Sequence, residues 1–158
     1  MFEIIRPTVD RAAIARSILE ALPEWFGIPK AREEYIARAG ELPMLAVSIE
    51  TEIVGFLSIE NKTKVASEIF VVGVRPEWHR RGVGKCLFNA VEADLAGTGI
   101  RYLIVKTLSG KSPNAPYLRT RQFYESIGFE PIDELPELWG PDNTCLLMLK
   151  PLQTGSRI

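Results

Sequence analysis

The 158-residue sequence predicts an α/β protein, a mixed sheet of about seven strands flanked by about four helices. Three observations carry this. The apolar pattern switches repeatedly between a period of two and a period near 3.6, which separates strands from helices. The segments follow the order β-α-α-β-β-β-α-β-α-β-β, with helices interspersed among mostly adjacent strands, as a mixed sheet with helices on both faces requires. The composition, 46% hydrophobic and 25% charged, is that of one globular domain able to bury its own core. That domain is expected over residues 1–150, with 151–158 as a flexible tail.

Phe2–Arg6 is a short strand. Thr8 is placed as the cap of a helix running to about Leu22, with Ile14, Ile18 and Leu22 on one face. ALPEWFGIPK, 21–30, is a turn-rich loop holding two aromatics, and a second helix over about 30–40 ends at Gly40. Met44–Glu50 and Ile53–Glu60 form a hairpin around Thr51-Glu52. SEIFVVGVRP, 67–76, is a strand stopped by Pro76. From Gly82 the pattern turns helical: Val83, Cys86, Leu87, Ala90, Val91 and Leu95 share one face as far as Gly97. The strand at 100–107 is expected to lie parallel to that at 67–76, through a right-handed crossover. A loop with Gly110, Ser112 and Pro113 leads to a helix over about Pro116–Ile127, with Gly128 as the residue past its end. Phe129–Ile132 and Cys145–Lys150 are the closing strands.

Several function classes are excluded early. A net charge of −1 supplies no basic field for nucleic acid. The single histidine, His79, rules out a histidine-based metal cluster, and Cys86 and Cys145 make neither a disulfide framework nor a zinc pattern. No apolar run is long enough to span a membrane, and the N-terminus does not read as a signal peptide. A cytoplasmic protein with reduced thiols is expected.

The stretch WHRRGVGKCL, 78–87, sits between a strand and a helix. A helix N-terminus presents unpaired N–H groups and the positive end of a dipole, which suits an anion. Gly82 and Gly84 allow close backbone approach and unusual φ/ψ, and Arg80 and Arg81 add charge-assisted hydrogen bonds. Two familiar phosphate loops do not fit. A P-loop ending at Gly84-Lys85 needs glycine where His79 stands and serine or threonine where Cys86 stands, and a dinucleotide fingerprint needs glycine where Leu87 stands. The plainer alternative is a flexible helix start with a solvated basic turn.

The run HRRGVG, 79–84, resembles the signature of the GNAT superfamily of acetyl-CoA-dependent N-acetyltransferases, Gln/Arg-x-x-Gly-x-Gly/Ala between a strand and a helix. The resemblance extends to the order of elements over about 2–150. It implies a GNAT-like fold with a mostly antiparallel mixed sheet, and acetyl-CoA as donor cosubstrate with its pyrophosphate on this loop. The residues so implied are Val72, Val74, His79, Arg80, Arg81, Gly82, Val83, Gly84 and Lys85, with His79 in place of the usual Gln or Arg. The helix bearing TRQFYESIGFEPI, 120–132, is similar to the family's FY-x-x-x-GF ending. Tyr124 matches the tyrosine that protonates the departing thiolate, while Phe123 reads as core. The family's asparagine one turn earlier would fall on Tyr117, and Asn114 is the stand-in for its contact to the pantetheine.

Acetyl transfer to an amine needs a held donor, a deprotonated amine, a stabilised oxyanion and help for the thiolate. No metal is implied. Glu68 opens the strand 67–76 and shares a face with Phe70, Val72 and Val74. It resembles the catalytic glutamate of the histone-acetylating branch in strand position, and apolar neighbours would raise its pKa. The other reading is a strand-end glutamate in water. Backbone N–H groups near Val74 are the oxyanion donors that the resemblance implies, and Gly73 marks either a bulge or a packing site. Cys86 reads as structural. The acceptor is expected to be a primary amine on a small molecule, walled by Trp25, Phe26 and Trp139. Alternatively Trp25 and Phe26 plug the sheet. A catalytically silent coenzyme-A-binding module and a protein or peptide N-acetyltransferase are the rival readings. The second would use the five carboxylates of EPIDELPELWGPD, 130–142, otherwise a solvated loop. A homodimer is left open.

Overall fold

The computed structural model describes residues 1–111 and 114–152. Ser112 and Pro113 of the expected loop, and 153–158 of the expected tail, lie outside the described residues. The elements are β1 (Glu3–Ile5), α1 (Arg11–Leu19), α2 (Pro29–Ala39), β2 (Met44–Ile49), β3 (Glu52–Asn61), β4 (Ala66–Val74), a 3-10 turn at Pro76–Trp78, α3 (Val83–Leu95), β5 (Tyr102–Leu108), α4 (Ala115–Ser126), β6 (Glu130–Leu135) and β7 (Cys145–Pro151). Seven strands form one mixed sheet in the order β1-β2-β3-β4-β5-β7-β6. Fold class and element order are therefore as the sequence predicts. The chain divides into two compact units, one of residues 1–60 and 69–95, the other of 61–68 and 96–158.

In the first unit, Ile18, Leu19, Leu22, Ile36, Ala46, Phe56 and Val71 form a buried cluster beneath α1 and α2. α1 begins later than expected. Asp10, not Thr8, precedes it, in a left-handed conformation (φ 58°) without a side-chain cap; a short polar side chain tolerates that region. The helix stops at Leu19, and tighter bonds, Ala21 N–H to Ile18 and Leu22 N–H to Leu19 at 3.0 Å, carry the chain on so that Leu22 still enters the core. The hairpin turn is Glu50-Thr51 rather than Thr51-Glu52, since Ile49 already pairs with Glu52 and Glu50 takes φ 59°. The register shift within this hairpin falls at Val47/Ser48. Gly73 is a packing glycine: a Cβ there would stand 3.0 Å from Ile18 and 3.2 Å from Leu22.

In the second unit, β5 pairs antiparallel with β7 along its whole length, and β6 pairs antiparallel with β7. The opening of β4 pairs with β5 in parallel, from Ala66↔Tyr102 to Glu68↔Ile104. Leu103, Val105 and Thr107 of β5 are buried, while Tyr102, Ile104 and Lys106 on the alternate face are half-buried. α4 ends as Gly128 predicts. Gly128 takes φ 104°, its N–H bonds to Glu125, and the Phe129 N–H bonds to Tyr124. Among the described residues no helix is long and apolar enough to cross a membrane.

Candidate active site

In the first unit, the chain leaves β4 at Val74, makes the 3-10 turn, and enters α3 through His79-Arg80-Arg81-Gly82. Gly82 has φ 86° and accepts the Cys86 N–H at 3.0 Å, so it caps α3. The next N–H groups, of Val83, Gly84 and Lys85, open the helix and lack intrahelical acceptors. Arg80 also has positive φ, 61°, and left-handed residues in a tight turn shape backbone N–H groups into anion-binding concavities. The unusual backbone therefore belongs to Arg80 and Gly82. Gly84 lies in the first helical turn. A Cβ at Gly82 would meet only Phe2 among the described residues, at 3.8 Å. Arg80, Arg81, Gly82 and Lys85 are exposed.

Two expected phosphate contacts have other partners. The His79 Nε2–H donates to the Val74 carbonyl at 2.7 Å, and the ring stands edge-on to Trp25 with centroids 5.6 Å apart. His79 thus ties the end of the loop back to β4. Arg81 lies 5.1 Å over the Trp78 ring, a cation–π contact that orients its guanidinium. Val72 and Val74 are half-buried on β4. Trp25 and Phe26 are both packed against the buried cluster, and Phe26 meets Tyr35 edge-on at 5.5 Å.

In the second unit, Glu68 is 4% exposed, which agrees with the expected desolvation. Its neighbours are not those expected. The Lys106 Nζ donates to Oε1 at 3.4 Å, and the Lys62 Nζ lies 3.6 Å from the same oxygen. A buried carboxylate held by two ammonium groups is compensated by Coulomb attraction rather than left bare among valines. The two lysines escaped sequence reasoning. They come from the turn after β3 and from β5, and only the parallel register Glu68↔Ile104 brings Lys106, two residues on, to the same face. Cys145 is fully buried. Burial above all pushes its thiol up to about 11, Lys106 pulls it down, and the Glu68 charge pushes it further up. Burial also raises the Cys86 thiol, as suits a structural cysteine.

Tyr124 is 6% exposed on α4, with ring centroids 5.8 Å from Phe123 and 5.6 Å from Phe129. Asn114 is the N-cap of α4, its Oδ1 accepting the Tyr117 N–H at 3.3 Å. The side-chain oxygen thus caps the helix. Trp139 is half-buried in the turn after β6. Of the five carboxylates at 130–142, Glu130, Asp133, Glu137 and Asp142 are exposed. Glu134 is paired with Lys111 at 3.0 Å, and that ammonium, with the Ser109 hydroxyl, lowers its pKa.

The profile of the acetyltransferase (GNAT) domain matches residues 43–131, more than half of the chain. No curated protein matches significantly in sequence. Solved structures of the same fold include a GNAT-family protein from Desulfovibrio desulfuricans (TM-score 0.81, 17% identity, 97% of this chain and 100% of that one). The ribosomal-protein-S18-alanine N-acetyltransferase of Escherichia coli is similar at TM-score 0.74 and 17% identity, over 100% of this chain and 99% of that one. An aminoglycoside 6′-N-acetyltransferase complexed with coenzyme A is similar at TM-score 0.70 and 18% identity, over 94% and 96%.

Proposed function

This chain belongs to the acetyltransferase (GNAT) domain family, and from that premise we propose that it moves an acetyl group from acetyl-CoA to a primary amine of a small molecule, by direct attack in a ternary complex. The observation that carries the reading is the loop at Arg80–Gly82, which coils through two left-handed residues into the N-terminus of α3. Such a turn and helix end offer several backbone N–H groups and a partial positive charge to a pyrophosphate, and the exposed Arg80 and Arg81 add charge.

The remaining roles follow from the chemistry. Glu68 removes the proton that keeps an ammonium from attacking, directly or through a water. N–H groups of β4 near Val74 steady the oxyanion, and the Tyr124 hydroxyl gives its proton to the departing thiolate. Val72 and Val74 flank the donor, Trp25 and Trp139 contact the acceptor, and Phe26 packs behind Trp25 on the buried cluster. A second reading, an enzyme acting on basic polypeptide N-termini, has the exposed Glu130, Asp133 and Glu137 in its favour.

Calorimetry with coenzyme A and thiol release over a panel of aminoglycosides, polyamines and basic peptides test these readings together. Binding with release on small amines supports the proposal, and release on peptides alone supports the second reading. Binding without release on any amine makes the chain a silent coenzyme A module. In Gly84→Asp, a new carboxylate at the helix N-terminus repels the pyrophosphate, so unchanged affinity in that variant would remove the loop from the donor site.

A further inference from the structure

The base proposed for this chain already holds an amine. Lys106 Nζ is hydrogen-bonded to Glu68 Oε1 at 3.4 Å, the Lys106 side chain is 29% exposed and that of Glu68 is 5% exposed. Proton removal requires a positioned base within hydrogen-bond reach of the ammonium, and Lys106 stands at about that range without any external acceptor. We infer that Lys106 is a self-acetylation site, modified within the same molecule by acetyl-CoA with Glu68 as base. The inference rests on the acetyl transfer proposed above.

The step balances without a further reactant. Glu68 takes one proton from the Lys106 ammonium. The freed amine forms a C–N bond to the thioester carbonyl carbon of acetyl-CoA, and the C–S bond breaks with its electron pair on sulfur. The second proton that the nitrogen loses on becoming an amide goes to the thiolate, and Glu68 releases the first to solvent. The products are acetyl-Lys106 and coenzyme A.

Two features of the cluster single out this lysine. First, Lys62 also approaches Glu68 Oε1, at 3.6 Å, but is more exposed, at 39% against 29% for Lys106. It remains as a cation after Lys106 is acetylated, so the product does not strand a buried carboxylate without a counter-charge. Second, Cys145, the buried thiol beside the cluster, is held protonated well above neutral pH. It does not compete for the acetyl group as a thiolate.

The test is incubation of the full chain with acetyl-CoA and no acceptor, followed by peptide mass spectrometry after digestion with a protease that does not cut at lysine. Acetyl occupancy at Lys106 should rise at a rate independent of protein concentration. It should exceed that of the exposed Lys30 and Lys64 by at least roughly tenfold, a conservative share of what a positioned base contributes. Glu68→Gln should bring Lys106 to the level of those two, and Lys106→Arg should leave no dominant site. Modification of Lys106 no faster than Lys30 and Lys64, or a rate that scales with protein concentration, overturns the inference even if Glu68→Gln fails to fold. If coenzyme A binds and added amines are acetylated while Lys106 stays unmodified, this inference alone falls. If coenzyme A does not bind at all, the functional reading beneath it falls as well.

Discussion

The N–H of Phe129 closes onto the carbonyl of Tyr124 at 3.0 Å, across a left-handed Gly128. This bond ends α4 and fixes the turn that follows the proposed acid. It also brings the Phe129 ring to 5.6 Å from that of Tyr124. A Cβ at Gly128 would stand 3.1 Å from Lys150 Cε, and the φ of 104° is unfavourable to any side chain. Gly128→Ala is therefore expected to lose about 1–2 kcal/mol of stability, measured by denaturant unfolding. An unchanged midpoint would mean that this helix end does not constrain Tyr124.

Gly128 was legible because its signal is local: a glycine just past an apolar helix, followed by a phenylalanine. The apolar face of α3, which buries Val83, Leu87 and Val91, was legible for the same reason. The start of α1 was not. Thr8 and Asp10 are both competent caps by residue type, and their choice depends on where Ala15, Ile18 and Leu19 meet the core. Phe70, Val72 and Val74 alternate with the buried Ile69, Val71 and Gly73 along β4, as a period of two predicts. However, the charges that meet Glu68 come from other segments, and single-sequence reasoning has no access to strand register. The bond from His79 to Val74 spans only five residues, yet a lone histidine beside two arginines reads first as a phosphate ligand.

Glu68→Gln keeps the shape of the side chain and removes its capacity to take a proton. Turnover should fall by about 10²-fold or more, most severely at low pH, where the acceptor amine is mostly protonated and depends on a base. Tyr124→Phe removes only a hydroxyl from a residue 6% exposed, so turnover should fall by roughly 10-fold or more while coenzyme affinity holds. Steady-state kinetics from pH 6 to 9 check both. Wild-type rates in both variants across that range would overturn the assigned roles.

Cys145 couples stability to alkaline pH. Its folded thiol is pushed up to about 11 from an ordinary 9.0. The raised group contributes stability that is fully present below pH 9.0 and lost as pH climbs towards about 11, because the unfolded chain ionises first. Unfolding curves from pH 8 to 11 should show that decline in the wild type and a shallower one in Cys145→Ala. Parallel declines would place the alkaline sensitivity elsewhere.

Trp25 and Phe26 are adjacent in sequence and are expected to separate in function. Phe26 meets Tyr35 at 5.5 Å, and Tyr35 meets Phe70 at 5.4 Å, a chain of rings that leads into the buried cluster beneath α1 and α2. Phe26→Ala should cost about 1–3 kcal/mol, the range for removing a packed side chain, with the acceptor KM held near the wild-type value. Trp25 instead places its ring against His79, beside the turn that enters α3. If Trp25 is a wall for the acceptor, Trp25→Ala raises the acceptor KM while the acetyl-CoA KM stays nearly constant, and this is the expected outcome. The opposite split, a raised acetyl-CoA KM with an unchanged acceptor KM, would show that Trp25 acts by bracing His79 and the phosphate loop, and would move the acceptor pocket away from this aromatic pair.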